Sequence, residues 1–240
     1  MELPYALLID LDDTILDTTL SADRNWLRVA EAASKRGIDI DPEVFVQHML
    51  AVREWYWSDT QRSEQGRLVI EKARAEMIAE TLRRLHYRSN HFDQYVADMQ
   101  TDFTTHRIDA MQLMPGVLDA LKAFKARGIK TALMTNGQGD MQRTKVNKFD
   151  LTPLFDAILI EGELGFGKPT EKFYYYALDQ LGVAAAETWA IGDNLHWEVD
   201  APQQLGMKGI WIDWRREGLP STSDVTPDLI IHSLADLLQS

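Results

Sequence analysis

Near the start of the chain, Tyr5-Ala-Leu-Leu-Ile runs directly into three carboxylates within four positions: Asp10, Asp12 and Asp13. Acids this close repel one another unless positive charge sits among them, and a hard divalent cation such as Mg²⁺ answers that need. The bland alternative is an Asp-rich turn, solvated and inert. Thr135-Asn136-Gly137 offers a hydroxyl and a backbone N–H at a turn. These suit a phosphate oxygen, although Asn-Gly is also an ordinary turn dipeptide. Gly167-Lys168-Pro169 holds a lysine between tight and stiff backbone, and Gly192-Asp193-Asn194 is followed by Glu198. Gly162 and Gly167-Lys168 have the spacing of a nucleotide P-loop. Pro169 stands where that loop needs a hydroxyl, and Glu163 would repel phosphate, so that reading is set aside.

Three of these clusters end or follow a short apolar run. Ala6–Ile9 lacks polar alternation and reads as a buried parallel strand. Further strands are expected at Lys130–Thr135, Ala157–Ile160, Thr188–Ile191, Gly209–Ile212 and Asp228–Ile231. Helices are expected between them, including Val117–Arg127 with Gly128 as its stop, Glu171–Leu181 and Val199–Leu205. Strand alternating with helix predicts an α/β fold, a doubly wound parallel sheet that binds ligands at the carboxyl ends of its strands. Residues 17–109 read differently. Segments opening at Trp26 and closing at Gly37, starting at Pro42, and covering Leu68–Leu85 and His91–Thr105 have helical spacing, with no strand signal. They predict a small all-α bundle inserted into a core made of residues 1–16 and 110–240. Charge is divided the same way. Residues 21–105 hold 12 Lys+Arg against 14 Asp+Glu and ten of the fifteen Arg, and most of the formal net charge of −12 lies elsewhere.

Asp10-x-Asp12-x-Thr14 after an apolar strand resembles the first motif of the haloacid dehalogenase superfamily, most of whose members are phosphatases. Thr135 matches the family's second motif, Lys168-Pro169 the third, and Gly192-Asp193 the fourth. The second acid of the fourth motif is Glu198, where Asp is usual. The four lie in family order, and the helical insertion matches the family's cap. The resemblance implies a Mg²⁺-dependent phosphatase acting on a small phosphate monoester, of nucleoside monophosphate or sugar phosphate type. It implies Asp10 as nucleophile, forming an aspartyl-phosphate, and Asp12 as general acid and base. Thr135, Asn136 and Lys168 would hold the phosphoryl oxygens. Asp10, the Asp12 carbonyl and Asp193 would hold the metal, with Glu198 in its outer shell or supporting Lys168. In the cap, Trp57 falls off the apolar stripe Val44, Phe45, His48, Met49, Val52, Trp55 and Tyr56, on the side shared with Leu50 and Arg53. It reads as packing or, with Arg62 or Arg67, as a contact for the leaving group.

Rival functions remain on the same fold. A 2-haloacid dehalogenase needs no acid for an alkoxide and, by the resemblance, lacks the equivalent of Asp12. A phosphonate hydrolase would need a cap lysine, and that segment has only Lys35 and Lys72. A sugar-phosphate mutase and a non-catalytic binding protein also stay open. The net charge of −12 argues against nucleic acid as a partner. No apolar run approaches the length of a membrane span, and no signal-peptide pattern opens the chain. The absence of Cys fits a cytoplasmic setting. The six His show no metal-binding spacing, and the chain is compatible with either a monomer or a homodimer.

Overall fold

The computed structural model describes residues 3–18, 22–59, 61–62, 66 and 69–238. Contacts divide the chain into two compact units, Thr18–Met111 and Met1–Asp17 with Gln112–Ser240.

The inserted unit contains helices α1 (Ala22–Lys35), α2 (Pro42–Trp57), α3 (Ile70–Arg84) and α4 (Phe92–Ala110). The start of α2 was legible. Asp41 Oδ1 accepts the N–H of Glu43 and Val44 at 2.9 and 3.0 Å, and Pro42 occupies the first turn, where no donor is needed. Phe45, Met49, Val52 and Tyr56 face the interior of this unit with Met77, Ile78, Leu82 and Met99, and Trp26 packs on Phe103. The stripe is narrower than the sequence suggested. Val44 and Trp55 are 39% and 42% exposed. Arg62 and Arg84 lie over Trp55, their guanidinium carbons 4.0 and 5.3 Å from its ring. Leu68, the expected start of the third helix, and Arg67 lie outside the described residues.

The other unit is built on six parallel strands in the order β5-β4-β1-β6-β7-β8. They are β1 (Ala6–Ile9), β4 (Lys130–Thr135), β5 (Ala157–Ile160), β6 (Thr188–Gly192), β7 (Lys208–Ile212) and β8 (Leu229–Ile231). Alternation along β1 sends Leu7 and Ile9 to one face, where they pack with Val117, Leu121 and Phe124 of α5 (Val117–Ala126). Ala6 and Leu8 go to the other, against Phe173, Tyr174 and Ala177. Both faces are covered, which is why these strands carry uninterrupted apolar runs. This is the doubly wound α/β sheet expected. The remaining helices are α6 (Gly139–Lys148), α7 (Glu161–Leu164), α8 (Glu171–Leu181) and α9 (Ala201–Gln204). The helix expected over Val199–Leu205 is present as α9, and it starts four residues earlier than expected, in a wider π-helical segment, Leu195–Asp200. Two-residue strands β2 (Leu16–Asp17) and β3 (Gln112–Leu113) pair antiparallel where the chain leaves this unit and returns to it. No described helix is long and apolar enough to cross a membrane.

Candidate active site

Strands β4, β1 and β6 are neighbours, and their parallel register sets Ile9 beside Leu133 and Ile191. Asp10, Thr135 and Asp193 therefore emerge along one edge of the sheet, although up to 183 positions separate them in sequence. After Asp10 the backbone turns sharply. Asp13 takes φ +58, a conformation Asp tolerates better than bulkier residues, and both Ile15 and Leu16 donate their N–H to the Leu11 carbonyl. The turn buries Leu11 and Ile15 and leaves the Asp12 side chain 31% exposed.

Lys168 is buried beside Asp10. Its ammonium donates to Asp10 Oδ1 at 2.5 Å and to Glu198 Oε1 at 2.6 Å. The other Glu198 oxygen accepts the Asn194 N–H at 3.1 Å. Asn194 in turn caps the wide turn, its Oδ1 accepting from His196 and Trp197 at 3.0 Å. Two glycines make the approach feasible. A Cβ at Gly192 would overlap Glu198 Cγ and lie 3.0 Å from Asp10 Cβ, and one at Gly167 would lie 2.5 Å from Asn136 Oδ1. Asn136 does more than its turn role suggested. Its side chain donates to the Lys168 carbonyl at 2.7 Å and accepts the Lys168 N–H at 2.8 Å. The Thr135 hydroxyl is buried and accepts from Gln142. The Thr14 hydroxyl is buried with no hydrogen-bond partner among the described residues.

Charge is out of balance here. Asp10, Asp193 and Glu198 share one ammonium. Burial pushes Asp193 up to about 8, and the charges of Asp10, Glu198 and Asp13 add to that rise. Burial also raises Glu198, to about 7, against the opposing pull of Lys168. Asp10 is raised by burial, with Lys168 pulling it back. Burial works against the Lys168 charge, but the two carboxylates beside it outweigh burial and hold it protonated. The Asp193 carboxylate has no hydrogen-bond or ion-pair partner among the described residues, while its carbonyl accepts from Trp211 Nε1 at 2.8 Å. A buried, oxygen-only donor set with surplus negative charge fits a hard divalent cation. No three acid or His side chains among the described residues are arranged to hold an ion together. Such a cation would therefore rest on two carboxylates and backbone oxygen.

Two residues that the sequence reading missed complete the cluster. Lys145 Nζ, on α6, donates to Asp12 Oδ1 and Oδ2 at 2.8 and 2.7 Å. Gln142 Nε2 donates to Asp12 Oδ2 at 3.0 Å and to the Asn136 carbonyl at 3.1 Å, besides the Thr135 hydroxyl. The available signal was their spacing of three on the segment after Asn136-Gly137. Of the cap candidates, Trp57 and Arg62 are described and Arg67 lies outside the described residues. Trp57 meets Tyr56 edge-on at 5.2 Å and lines a surface depression with Leu50, Arg53 and Glu54. Arg62 does not accompany it; its guanidinium stacks on Trp55 and donates to the Trp55 carbonyl at 2.8 Å.

A parallel sheet with acids, a hydroxyl and a lysine gathered at its strand ends has the build of an α/β hydrolytic enzyme. A haloacid dehalogenase-like hydrolase model matches residues 6–206, and the chain belongs to that family. It is 35% identical over 126 residues to a phosphoserine phosphatase from Thermus thermophilus, covering 52% of this chain and 49% of that protein. It is 24% identical over 251 residues to the N-acylneuraminate-9-phosphatase of Rattus norvegicus, covering 97% and 91%. Among solved structures it superposes on YfnB, a putative hydrolase of this family from Bacillus subtilis bound to magnesium. The TM-score is 0.75, at 21% identity, over 99% of this chain and 98% of that one.

Proposed function

We propose that the protein is a phosphatase that hydrolyses a small phosphate monoester through an aspartyl-phosphate on Asp10. The observation that carries this reading is the pair of differently held carboxylates, Asp10 against Lys168 and Asp12 against Lys145. Two acids in unlike surroundings can take unlike roles. The relatives described as phosphatases support it.

An Asp10 carboxylate oxygen attacks phosphorus, and the P–O bond to the leaving group breaks. The departing oxygen takes the proton carried by Asp12. A water molecule then attacks the phosphoryl group and gives its proton to Asp12, and the P–O bond to Asp10 breaks, releasing phosphate. Lys168 neutralises the phosphoryl oxygens together with Thr135, while Glu198 and Asn136 position Lys168. Mg²⁺ held by the Asp10 and Asp193 carboxylates and the Asp12 carbonyl would supply charge neutralisation and orient the phosphoryl group. The Thr18–Met111 unit is assigned as a cap that excludes water and reads the leaving group, with Trp57 as a contact. A cytoplasmic setting and a small-molecule partner complete the reading.

Dehalogenation is the rival chemistry, and the retained Asp12 disfavours it. The deciding experiment measures phosphate release from a panel of monoesters, with Mg²⁺ and with EDTA, alongside chloride release from 2-chloropropionate. Mg²⁺-dependent phosphate release without chloride is expected. Chloride release without phosphate release would overturn the reading.

A further inference from the structure

The contact between α6 and Asp12 is unexplained by the roles above. We infer that Lys145 and Gln142 are positioning residues, which fix the Asp12 carboxylate and tie it to Thr135 so that proton transfer and phosphoryl binding keep one geometry. This rests on the reading of Asp12 as general acid and base.

Lys145 is buried, with its side chain 4% exposed, and its ammonium bonds both Asp12 oxygens. Burying an ammonium is costly, and an apolar residue of similar length would pack the same face of α6 without that cost. The two bonds act where general acid catalysis is most sensitive. A carboxylate gripped through both oxygens cannot rotate about its χ2, so its distance and angle to a reacting oxygen are set in advance. Gln142 adds the link across the sheet. One side-chain amide reaches Asp12, the Thr135 hydroxyl and the Asn136 carbonyl. The acid of β1 and the phosphate-binding turn of β4, more than 120 residues apart in sequence, thus share one donor. Lys145 and Gln142 lie three apart on one helix, so α6 presents both to the same target.

The test is a double-mutant cycle. Lys145→Met and Gln142→Leu are each made alone and in an Asp12→Asn background. Rates are measured on 4-nitrophenyl phosphate, whose leaving group needs no acid, and on the alkyl phosphate that the enzyme hydrolyses fastest. Lys145→Met is expected to lower kcat on the alkyl phosphate by about tenfold or more, with KM little changed, since proton transfer contributes about 10²–10⁴-fold in all. Gln142→Leu should lower kcat and also raise KM, because it frees Thr135. The rapid-mixing burst of 4-nitrophenolate should keep near wild-type rate in Lys145→Met, while Gln142→Leu, which also releases the Thr135 hydroxyl, should slow it. In the Asp12→Asn background Lys145→Met should cost nothing further, and Gln142→Leu only the loss that it brings through Thr135 on 4-nitrophenyl phosphate. A rise in KM on both substrates in Lys145→Met would make Lys145 a phosphate ligand and overturn the inference, as would an equal further loss without Asp12. If Asp12→Asn itself spares the alkyl phosphate, the general-acid reading fails instead. Circular dichroism of every variant separates these outcomes from unfolding, and Lys145→Gln, which keeps a buried donor beside Asp12 without the charge, carries the test if Lys145→Met does not fold.

Discussion

Asn136 and Lys168 face each other through two hydrogen bonds, 2.7 Å from the Asn136 amide to the Lys168 carbonyl and 2.8 Å from the Lys168 N–H to the Asn136 oxygen. The side chain of one motif fixes the backbone of another 32 positions away. Asn136→Ala leaves both Lys168 groups unmatched, at a cost of about 1–3 kcal/mol of stability. It should also lower kcat/KM on every monoester by roughly 10- to 100-fold, because a small displacement of a positioning cation is amplified in the rate. A melting curve and a kinetic assay check both; a variant with wild-type kinetics would show that Lys168 needs no such fixture.

Asp10→Asn should abolish turnover by orders of magnitude, as loss of a nucleophile does. The substitution removes one of the acids crowded around Lys168, and Glu198 still pairs with that ammonium. Thermal stability should therefore hold or rise while activity vanishes. Mass spectrometry of wild-type protein quenched during turnover should find a phosphoryl adduct on Asp10 that the variant lacks.

Asp193 gives the pH dependence its sign. Its folded pKa is about 8 against an ordinary value of 3.8, so between those limits the folded state holds a proton that the unfolded chain has lost. Stability of EDTA-treated protein should fall as pH rises from about 4 to about 8. Mg²⁺ should reduce that slope by stabilising the ionised carboxylate, and Asp193→Asn should reduce it without metal to the part that Glu198 and Asp10 contribute. Thermal melts across pH, with and without Mg²⁺, read this independently of activity. The same slope under all three conditions would remove Asp193 from the metal site.

Trp57→Ala should change the ranking of phosphate monoesters while sparing 4-nitrophenyl phosphate. The ring is half-buried against Tyr56, so some loss of melting temperature is expected too. The selectivity ratio, measured well below the melt, isolates the contact. A uniform loss on all substrates would leave Trp57 as packing alone.

The sheet was legible because burial on both faces writes itself as unbroken apolar runs, as in Ala6–Ile9, and parallel pairing then puts the residues after those runs at one edge. Asp10, Thr135 and Asp193 could be named for that reason, and Lys168 by the resemblance of Lys168-Pro169 to the family's third motif. Their couplings could not. Lys145 and Gln142 meet Asp12 across 133 and 130 positions, and their spacing of three in α6 says that they share a face but not that the face is buried against Asp12. The cap failed at its surface, where Arg62 covers Trp55, since periodicity says which face is apolar and nothing about which cation lies on it. The ladder of β2 and β3 was missed because two residues per strand are too few for any period to register.

That ladder has a consequence for modularity. Leu16 pairs with Leu113 and Asp17 with Gln112, so the 94 residues of Thr18–Met111 depart and return as neighbours on one hairpin stem. To the sheet, that whole unit is a hairpin loop. Chain-closure entropy grows only with the logarithm of length, so a flexible loop of this size would cost about 3 kcal/mol more to close than a four-residue one. A segment packed around its own apolar cluster, as this one is, avoids much of even that. What stands on the stem can be lengthened or shortened without re-registering a single strand of the six-stranded sheet.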